Sequence, residues 1–418
     1  MRIPTTVVIG DHTQGLGILR SAAAAGGNVW VVNDKTLSLS RFSRYLSGYR
    51  RIRWGALSHL CQPYFSEQLL RELLSLPVEY PSLLFGVNED ITHFIYTHAN
   101  PLKHKYFIPD VRLDRIYDKY IFNLLLPDSA QIATRLCSET DIMSVDNPHR
   151  FILKGRQGNK FRRLTGEKAV RLDRLSQHDG SRLFRRLPPD QVLIQDIIET
   201  DRPVLSVCSF SVNGRISGVF QYEKLRQHPN QFGTGTYVRS TWVGSLMPLA
   251  ADILKSLDFT GISEIEFIFD AKARSYKVIE MNPRAWKSIH FASQCGQNLV
   301  GRYLEYVATG RTSPGDNYHR DQYWVDLATD IPQMIRELKL GRYHRDFFEC
   351  TWDRMDRRPA LALWALFPLI ALENSLASKV ATADVGLRPL EIKNLFWWLV
   401  RGAGAAAPAG SDGRERIL

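Results

Sequence analysis

Two neighbouring segments, 261–270 and 276–282, constrain the fold most strongly, because each alternates its side chains with the period of a β-strand. In the first segment two alternating sets are expected on opposite faces: Ile265, Phe267 and Phe269, and Glu264, Glu266 and Ile268. In the second segment the same rule places one set on a shared face: Val278, Glu280 and Asn282. The short run between the segments predicts a turn, so the two strands should form a β-hairpin.

The length of this turn predicts which residues face each other across the hairpin. A turn at 271–275 puts Glu266 opposite Glu280 and places another acid opposite Asn282. Directly opposed carboxylates repel each other, and Mg2+, which prefers oxygen ligands and the phosphates of a substrate, would offset that repulsion. Arg284 follows closely, and its guanidinium can hold a phosphate or a carboxylate. A surface hairpin with solvated acids is the alternative.

The two strands together resemble the closing motif of the ATP-grasp ligases. The resemblance is carried by Gly-x-x-Glu-Ile-Glu-Phe-Ile-Phe-Asp at 261–270 and by Tyr-Lys-Val-Ile-Glu-Met-Asn-Pro-Arg at 276–284. It implies ATP and Mg2+, or Mn2+ in its place, as cofactors. It also implies three metal ligands: Glu266, Glu280 and Asn282. Arg284 is the expected contact of the phosphate or acylphosphate.

Earlier segments resemble the nucleotide-binding elements of the same family. Lys119 opens a helix after Asp118, as does a nucleotide-contacting lysine of the family; an ordinary helical lysine is the alternative. Lys154 ends a strand and precedes the loop predicted at 155–160, a setting that suits phosphate oxygens. The apolar strand at 192–199 resembles the hinge that contacts adenine and ribose. The residues implied there are Gln195, Asp196, Ile198 and Glu199.

The segment 222–229 resembles a Lys-x-Arg-Gln-x-Pro stretch of carboxylate–amine ligases similar to D-aspartate ligase. We expect it to form a basic loop between strands of the catalytic sheet. Lys224 and Arg226 would there neutralise the γ-phosphate or a substrate carboxylate; a basic hairpin tip without this role is the alternative. Three residues after the hairpin could line the acceptor pocket: Trp286, Lys287 and His290. A structural role is the alternative for His290, since a lone histidine is more often structural.

The resemblance implies an α/β and α+β fold: a Rossmann-like pre-ATP-grasp lobe, a two-subdomain ATP-grasp fold and a helical C-terminal extension. The predicted domains are 1–112, 113–310 with a small lid at about 150–200, and 311–418 with a disordered tail from 402. Strand 5–9 and helix 16–25 open the first lobe, and the loop at 88–90 could line its substrate site. The early glycines do not have the G-x-G-x-x-G spacing of a dinucleotide site, which disfavours a dehydrogenase with Asp34 as ribose acid.

Composition limits the class and partners of this 418-residue chain. A net charge of +11 favours anionic partners, but no nucleic-acid-binding motif is present, so nucleic acid is an unlikely partner. The five cysteines contain no C-x-x-C pair and no signal peptide precedes them, which predicts a reducing, cytoplasmic setting. The apolar residues in 359–401 favour core helices that pack on the rest of the chain, and peripheral contact with the inner face of a membrane is the alternative. A dimer is a further expectation.

These features predict an ATP-dependent ligase that activates a carboxylate as an acylphosphate and joins it to an amine. The partners would then be a small-molecule acid and a small-molecule amine. Two alternatives stay open: a component that uses bicarbonate as the acid, and a catalytically silent ATP-binding module.

Overall fold

The computed structural model of the chain describes residues 3–313, 315, 317–336, 338 and 341–383. Within this part of the chain the strands form three β-sheets, which helices cover. The sheets follow one another along the sequence, and the third includes two short strands that lie beyond residue 320.

The first sheet is parallel and lies at the amino-terminal end of the chain. Its strands are β1 (Thr6–Ile9), β2 (Val29–Asn33), β3 (Gly48–Arg51), β4 (Ser82–Gly86) and β5 (Tyr106–Phe107). Their order in space is β3-β2-β1-β4-β5. The helices of this lobe are α1 (Thr13–Ala24), α2 (Pro63–Ser75), α3 (Glu89–Thr97) and α4 (Ala99–Leu102). Every residue of β1 is buried, as expected for a parallel strand covered on both faces. This arrangement confirms the predicted Rossmann-like lobe.

Helix α1 begins three residues earlier than the sequence predicts, so Gly15 and Gly17 are helical. A Cβ on Gly17 would lie 3.0 Å from Ile289 Cγ2. Gly17 therefore permits a close approach to the segment after the hairpin rather than contributing to a phosphate-binding loop.

The second sheet is small and antiparallel. It follows two short helices, α5 (Leu113–Tyr117) and α6 (Lys119–Leu125). Its elements are β6 (Thr134–Leu136), α7 (Glu139–Met143), β7 (Phe151–Gly155), α8 (Gly158–Thr165), β8 (Ala169–Arg171), α9 (Gln177–Phe184) and β9 (Val192–Asp196). The strand order is β6-β9-β7-β8. The loop predicted at 155–160 was too long, because α8 already begins at Gly158.

The third sheet has seven strands and is mainly antiparallel. Its first elements are β10 (Leu205–Val212), β11 (Arg215–His228), β12 (Thr234–Thr241), α10 (Leu246–Ser256), β13 (Gly261–Asp270) and β14 (Ser275–Asn282). They are followed by α11 (Ile289–Gln294), α12 (Leu299–Thr309), β15 (Tyr323–Val325), α13 (Leu327–Arg336) and β16 (Phe348–Glu349). The order is β14-β13-β10-β11-β12-β15-β16. The C-terminal extension is thus not only helical, since β15 and β16 extend this sheet. The domain boundaries stay predictions.

The last described element, α14 (Arg358–Ala383), packs against the amino-terminal lobe. Its Glu373 carboxylate accepts hydrogen bonds from the backbone of Thr36 and Leu37 at 2.6 and 2.8 Å. Just before the helix, Asp356 pairs with the buried Arg20 at 3.1 Å. Among the described residues, no helix has the length and apolarity needed to cross a bilayer. The apolar segment at 391–401 and the tail from 402 lie outside the described residues.

Candidate functional site

The hairpin of β13 and β14 has the predicted register. Glu266 pairs with Glu280, and Glu264 pairs with Asn282. One difference concerns the faces of β14, because Ile279 is an extra residue between Glu280 and Val278 and has no partner on β13. This β-bulge interrupts the alternation. The prediction that Val278 shares a face with the acids was therefore wrong: it is 2% exposed and belongs to the apolar core with Met281.

Each of the two opposed carboxylates has a lysine beside it. Lys224 Nζ lies 2.6 Å from Glu266 Oε2, and Lys119 Nζ lies 2.7 Å from Glu280 Oε2. The ammonium group of Lys119 holds the pKa of Glu280 well below its usual range. The two lysines thus offset the repulsion that the hairpin register creates.

The Asn282 side chain on β14 connects Glu264, on the opposite strand, to Arg284. Its amide donates to Glu264 Oε2 at 3.2 Å, while its oxygen accepts from Arg284 Nη2 at 3.3 Å. Glu264 also accepts hydrogen bonds from Tyr222 and Ser206. Burial raises the pKa of Glu264, which lies on the same face of β13 as Glu266 and whose carboxylate these hydrogen bonds hold in place.

The oxygen atoms that the hairpin offers suit a hard divalent cation that also binds ligands from outside the protein. Among the described residues, no three acidic, histidine or cysteine side chains are grouped closely enough to hold a metal. Glu266, Glu280 and the amide oxygen of Asn282 offer only oxygen atoms. Mg2+ is usually bound in this way, by one or two carboxylates together with the phosphates of a nucleotide.

Two adjoining cavities meet at Glu280. The larger, about 440 Å3, lies between the small sheet and the large sheet, and the smaller, about 130 Å3, extends toward the amino-terminal lobe. The residues that line both are Lys119, Lys154, Lys168, Gln195, Ile279 and Glu280. The predicted nucleotide lysines and the predicted metal ligands therefore share one space.

Lys154 is the most buried of these cations. It is the penultimate residue of β7, is almost inaccessible to solvent and joins no ion pair among the described residues. Burial lowers the pKa of Lys154 to about 8, and the charge of Lys119 adds to this effect. A buried ammonium without a counter-ion is costly, and this favours an anionic ligand at Lys154.

The predicted hinge lines the larger cavity, with one exception. Gln195, Asp196 and Ile198 all border it, and Gln195 Nε2 donates to Thr134 Oγ1 at 2.8 Å. Glu199 does not border it: its carboxylate is 77% exposed and lies 3.9 Å from Lys272. The geometry therefore gives no support to a ribose contact by Glu199.

Lys224 and Arg226 lie on β11, so the prediction of a basic loop at 222–229 was wrong. Both residues line the larger cavity, but the guanidinium of Arg226 is already engaged. It donates to Asp330 at 2.6 and 3.0 Å and lies over the rings of Tyr237 and Tyr343. Arg226 thus has the contacts of a structural residue, and its catalytic role stays a prediction.

The three residues expected in the acceptor pocket lie in different surroundings. Trp286 is buried in the apolar core. Lys287 Nζ pairs with Asp326 at 2.5 Å, and the His290 ring lies between Ser21 and Asp353. The structure does not bring them together around one open cavity.

Two residues that line the site were not predicted to act in it. Lys168 precedes β8, whose Ala169 pairs with Lys154, so the antiparallel register brings the two lysines together. Glu89 begins α3 and lines the smaller cavity. Lys168 had no motif of its own, while Glu89 lay in a loop identified only as a general substrate region.

Comparison with known proteins agrees with this architecture. Residues 240–312, which include the hairpin, match the family model of the carbamoyl-phosphate synthase L chain, ATP binding domain. A sequence search of curated proteins finds no match. N5-carboxyaminoimidazole synthetase from Staphylococcus aureus is similar in structure, with a TM-score of 0.57 and 14% identity over 86% of this chain and 92% of that chain.

Two further solved structures are similar over most of their length. L-amino acid ligase from Bacillus licheniformis has a TM-score of 0.54 and 13% identity, covering 74% of this chain and 75% of its own. The biotin carboxylase domain of Hydrogenobacter thermophilus 2-oxoglutarate carboxylase, solved with MgADP and bicarbonate, has a TM-score of 0.56 and 13% identity over 77% and 74%. Sequence identities this low, with these TM-scores, show similarity of fold alone. The chain is a protein of the ATP-grasp fold.

Proposed function

We propose that this protein is an ATP-dependent ligase that activates a carboxylate as an acylphosphate and joins it to an amine. The observation that carries the proposal is the shared space around Glu280, where two opposed carboxylates face Lys119, Lys154 and Lys168. Such a site suits a nucleotide triphosphate held with Mg2+. The similarity to an L-amino acid ligase supports the same class of reaction.

Residues of this chain would act by positioning and by neutralising charge. Lys154 and Lys168 would hold the phosphates from the small sheet, and Lys119 and Lys224 would turn from the acids to the nucleotide. Bound Mg2+, held by Glu266, Glu280 and Asn282, would neutralise the transferring phosphoryl group. Arg284, which already contacts Asn282, would stabilise the acylphosphate and the oxyanion formed when the amine attacks.

Bicarbonate as the acid is the second candidate. It is favoured by one observation, the similarity to a biotin carboxylase domain that was solved with MgADP and bicarbonate. The two candidates differ only in the acid, so the same assay separates them. The use of Mn2+, a dimeric state and peripheral contact with a membrane stay predictions.

The test is Mg2+-dependent release of ADP by the purified protein, measured with bicarbonate and with a panel of carboxylates and amines. We expect an acid–amine pair to stimulate release, and Glu280→Gln to lower it about 100-fold or more, because the variant removes charge that stabilises the transition state. Glu67→Gln, an exposed acid of the first lobe, is the matched control. The ligase proposal fails if no acid stimulates release or if Glu280→Gln retains full activity.

A further inference from the structure

Glu89 is a carboxylate beside the proposed reaction centre that the mechanism above does not use. It lies three residues after the end of β4, at the carboxyl ends of the parallel strands, where open α/β sheets bind ligands. It lines the smaller cavity with Lys119, Glu280 and Arg284. A Cβ placed on Gly158 would lie 3.8 Å from Glu89 Oε2 and 3.9 Å from Lys119 Nζ, so the two side chains border one gap beside α8.

Glu89 differs from the other carboxylates of the site because it has no partner. Glu266 and Glu280 are paired with lysines, and Glu264 accepts three hydrogen bonds. Among the described residues, Glu89 accepts no hydrogen bond and forms no ion pair within 4 Å. Burial raises the pKa of Glu89, against the opposing effect of the charge of Lys119. A half-buried carboxylate without a partner is costly, which favours a ligand that donates hydrogen bonds to it.

The chemistry of the ligation identifies that ligand. ATP, the carboxylic acid and the acylphosphate are anions, which the negative charge of Glu89 would repel. Among the groups that react, only the amine carries N–H donors or a positive charge. Resting on the proposed ligase activity, we propose that Glu89 receives the acceptor amine and takes up the proton that the amine releases.

The lone pair of the amine nitrogen forms a C–N bond to the carbonyl carbon of the acylphosphate. The bond between this carbon and the phosphate oxygen breaks, and phosphate leaves with the electron pair. The N–H proton passes to the Glu89 carboxylate, which later loses it to solvent, while Arg284 remains beside the oxyanion.

The experiment measures product formation from two acceptors by each of three proteins: wild type, Glu89→Gln and Glu89→Asp. Every reaction contains Mg2+, ATP and an acid that supports turnover. One acceptor is the amine that the panel identifies, and the other is hydroxylamine, which is largely unprotonated at neutral pH and needs no base. We expect Glu89→Gln to lower amide formation about 100-fold and to leave hydroxamate formation within about threefold of wild type. Glu89→Asp should restore part of the amide rate, and Glu67→Gln should match wild type.

Three results would overturn the proposed role of Glu89 and leave the ligase proposal unaffected. In the first, Glu89→Gln forms the amide at the wild-type rate. In the second, amide and hydroxamate formation fall together. In the third, the variant binds Mn2+ and ADP more than tenfold less tightly, which would make Glu89 part of the metal site. If wild type forms neither product with any acid, the ligase proposal itself fails and the role of Glu89 fails with it.

Discussion

Replacing Lys224 with methionine should allow the hairpin to bind Mn2+ in the absence of a nucleotide. Lys224 Nζ lies 2.6 Å from Glu266 Oε2, and their side chains are 4% and 12% exposed. The variant leaves Glu266 opposite Glu280 with no cation of its own. Removing one partner of a buried ion pair costs about 3–5 kcal/mol, and a metal ion that replaces the ammonium group regains part of that free energy.

We take the free energy that Mn2+ binding regains as about 3 kcal/mol. Since about 1.4 kcal/mol corresponds to a factor of ten, Mn2+ should bind nucleotide-free Lys224→Met roughly 100-fold more tightly than wild type. Electron paramagnetic resonance of free Mn2+ measures both affinities directly. Lys272→Met is the control, because this lysine lies in the turn of the same hairpin and is 83% exposed. Equal Mn2+ affinities for Lys224→Met and wild type would refute the reasoning.

Three further predictions concern the small sheet and β11. Gly155→Ala should lower the melting temperature by differential scanning fluorimetry, because its Cβ would lie 2.3 Å from Phe161 Cβ; an unchanged melting temperature contradicts this. Since the pKa of Lys154 is lowered to about 8, its charge is present below that pH and lost above it. Calorimetry should therefore show MgADP binding weakening as the pH rises through 8, but not in Lys154→Arg; parallel pH profiles would exclude Lys154 as the cause. Asp330→Asn should destabilise the protein by about 3 kcal/mol in urea unfolding, because it breaks the ion pair between the buried Asp330 and Arg226; a loss below about 0.5 kcal/mol would count against a structural role for that pair.

The hairpin could be predicted because short-range rules determine it. Alternation identified the strands, and the length of the turn placed Glu266 opposite Glu280. The bulge at Ile279 could not be predicted, because one inserted residue changes the face of Val278 without leaving a signal in the apolar pattern. The motif thus located the acids, while the packing behind them needed the structure.

Long-range contacts account for the other differences. Arg226 was expected to be available to a substrate, but Asp330, over one hundred residues later, holds its guanidinium. Lys168 lines the site because β8 pairs with β7, a pairing that its sequence does not identify. The strands β15 and β16 are too short for a period to be recognised. The resemblance carried by local motifs predicted the fold class and named residues that the structure brings to one space, while tertiary pairing determined which side chains remain available.

The most direct test of the central claim is calorimetric titration of ADP into the purified protein with and without Mg2+, repeated for Glu280→Gln. We expect wild type to bind ADP at least tenfold more tightly with Mg2+, and Glu280→Gln to lose this Mg2+ effect because the hairpin no longer offers two carboxylates to the metal. Absence of ADP binding under both conditions, or an undiminished Mg2+ effect in Glu280→Gln, would contradict the assignment of the hairpin as the metal–nucleotide site.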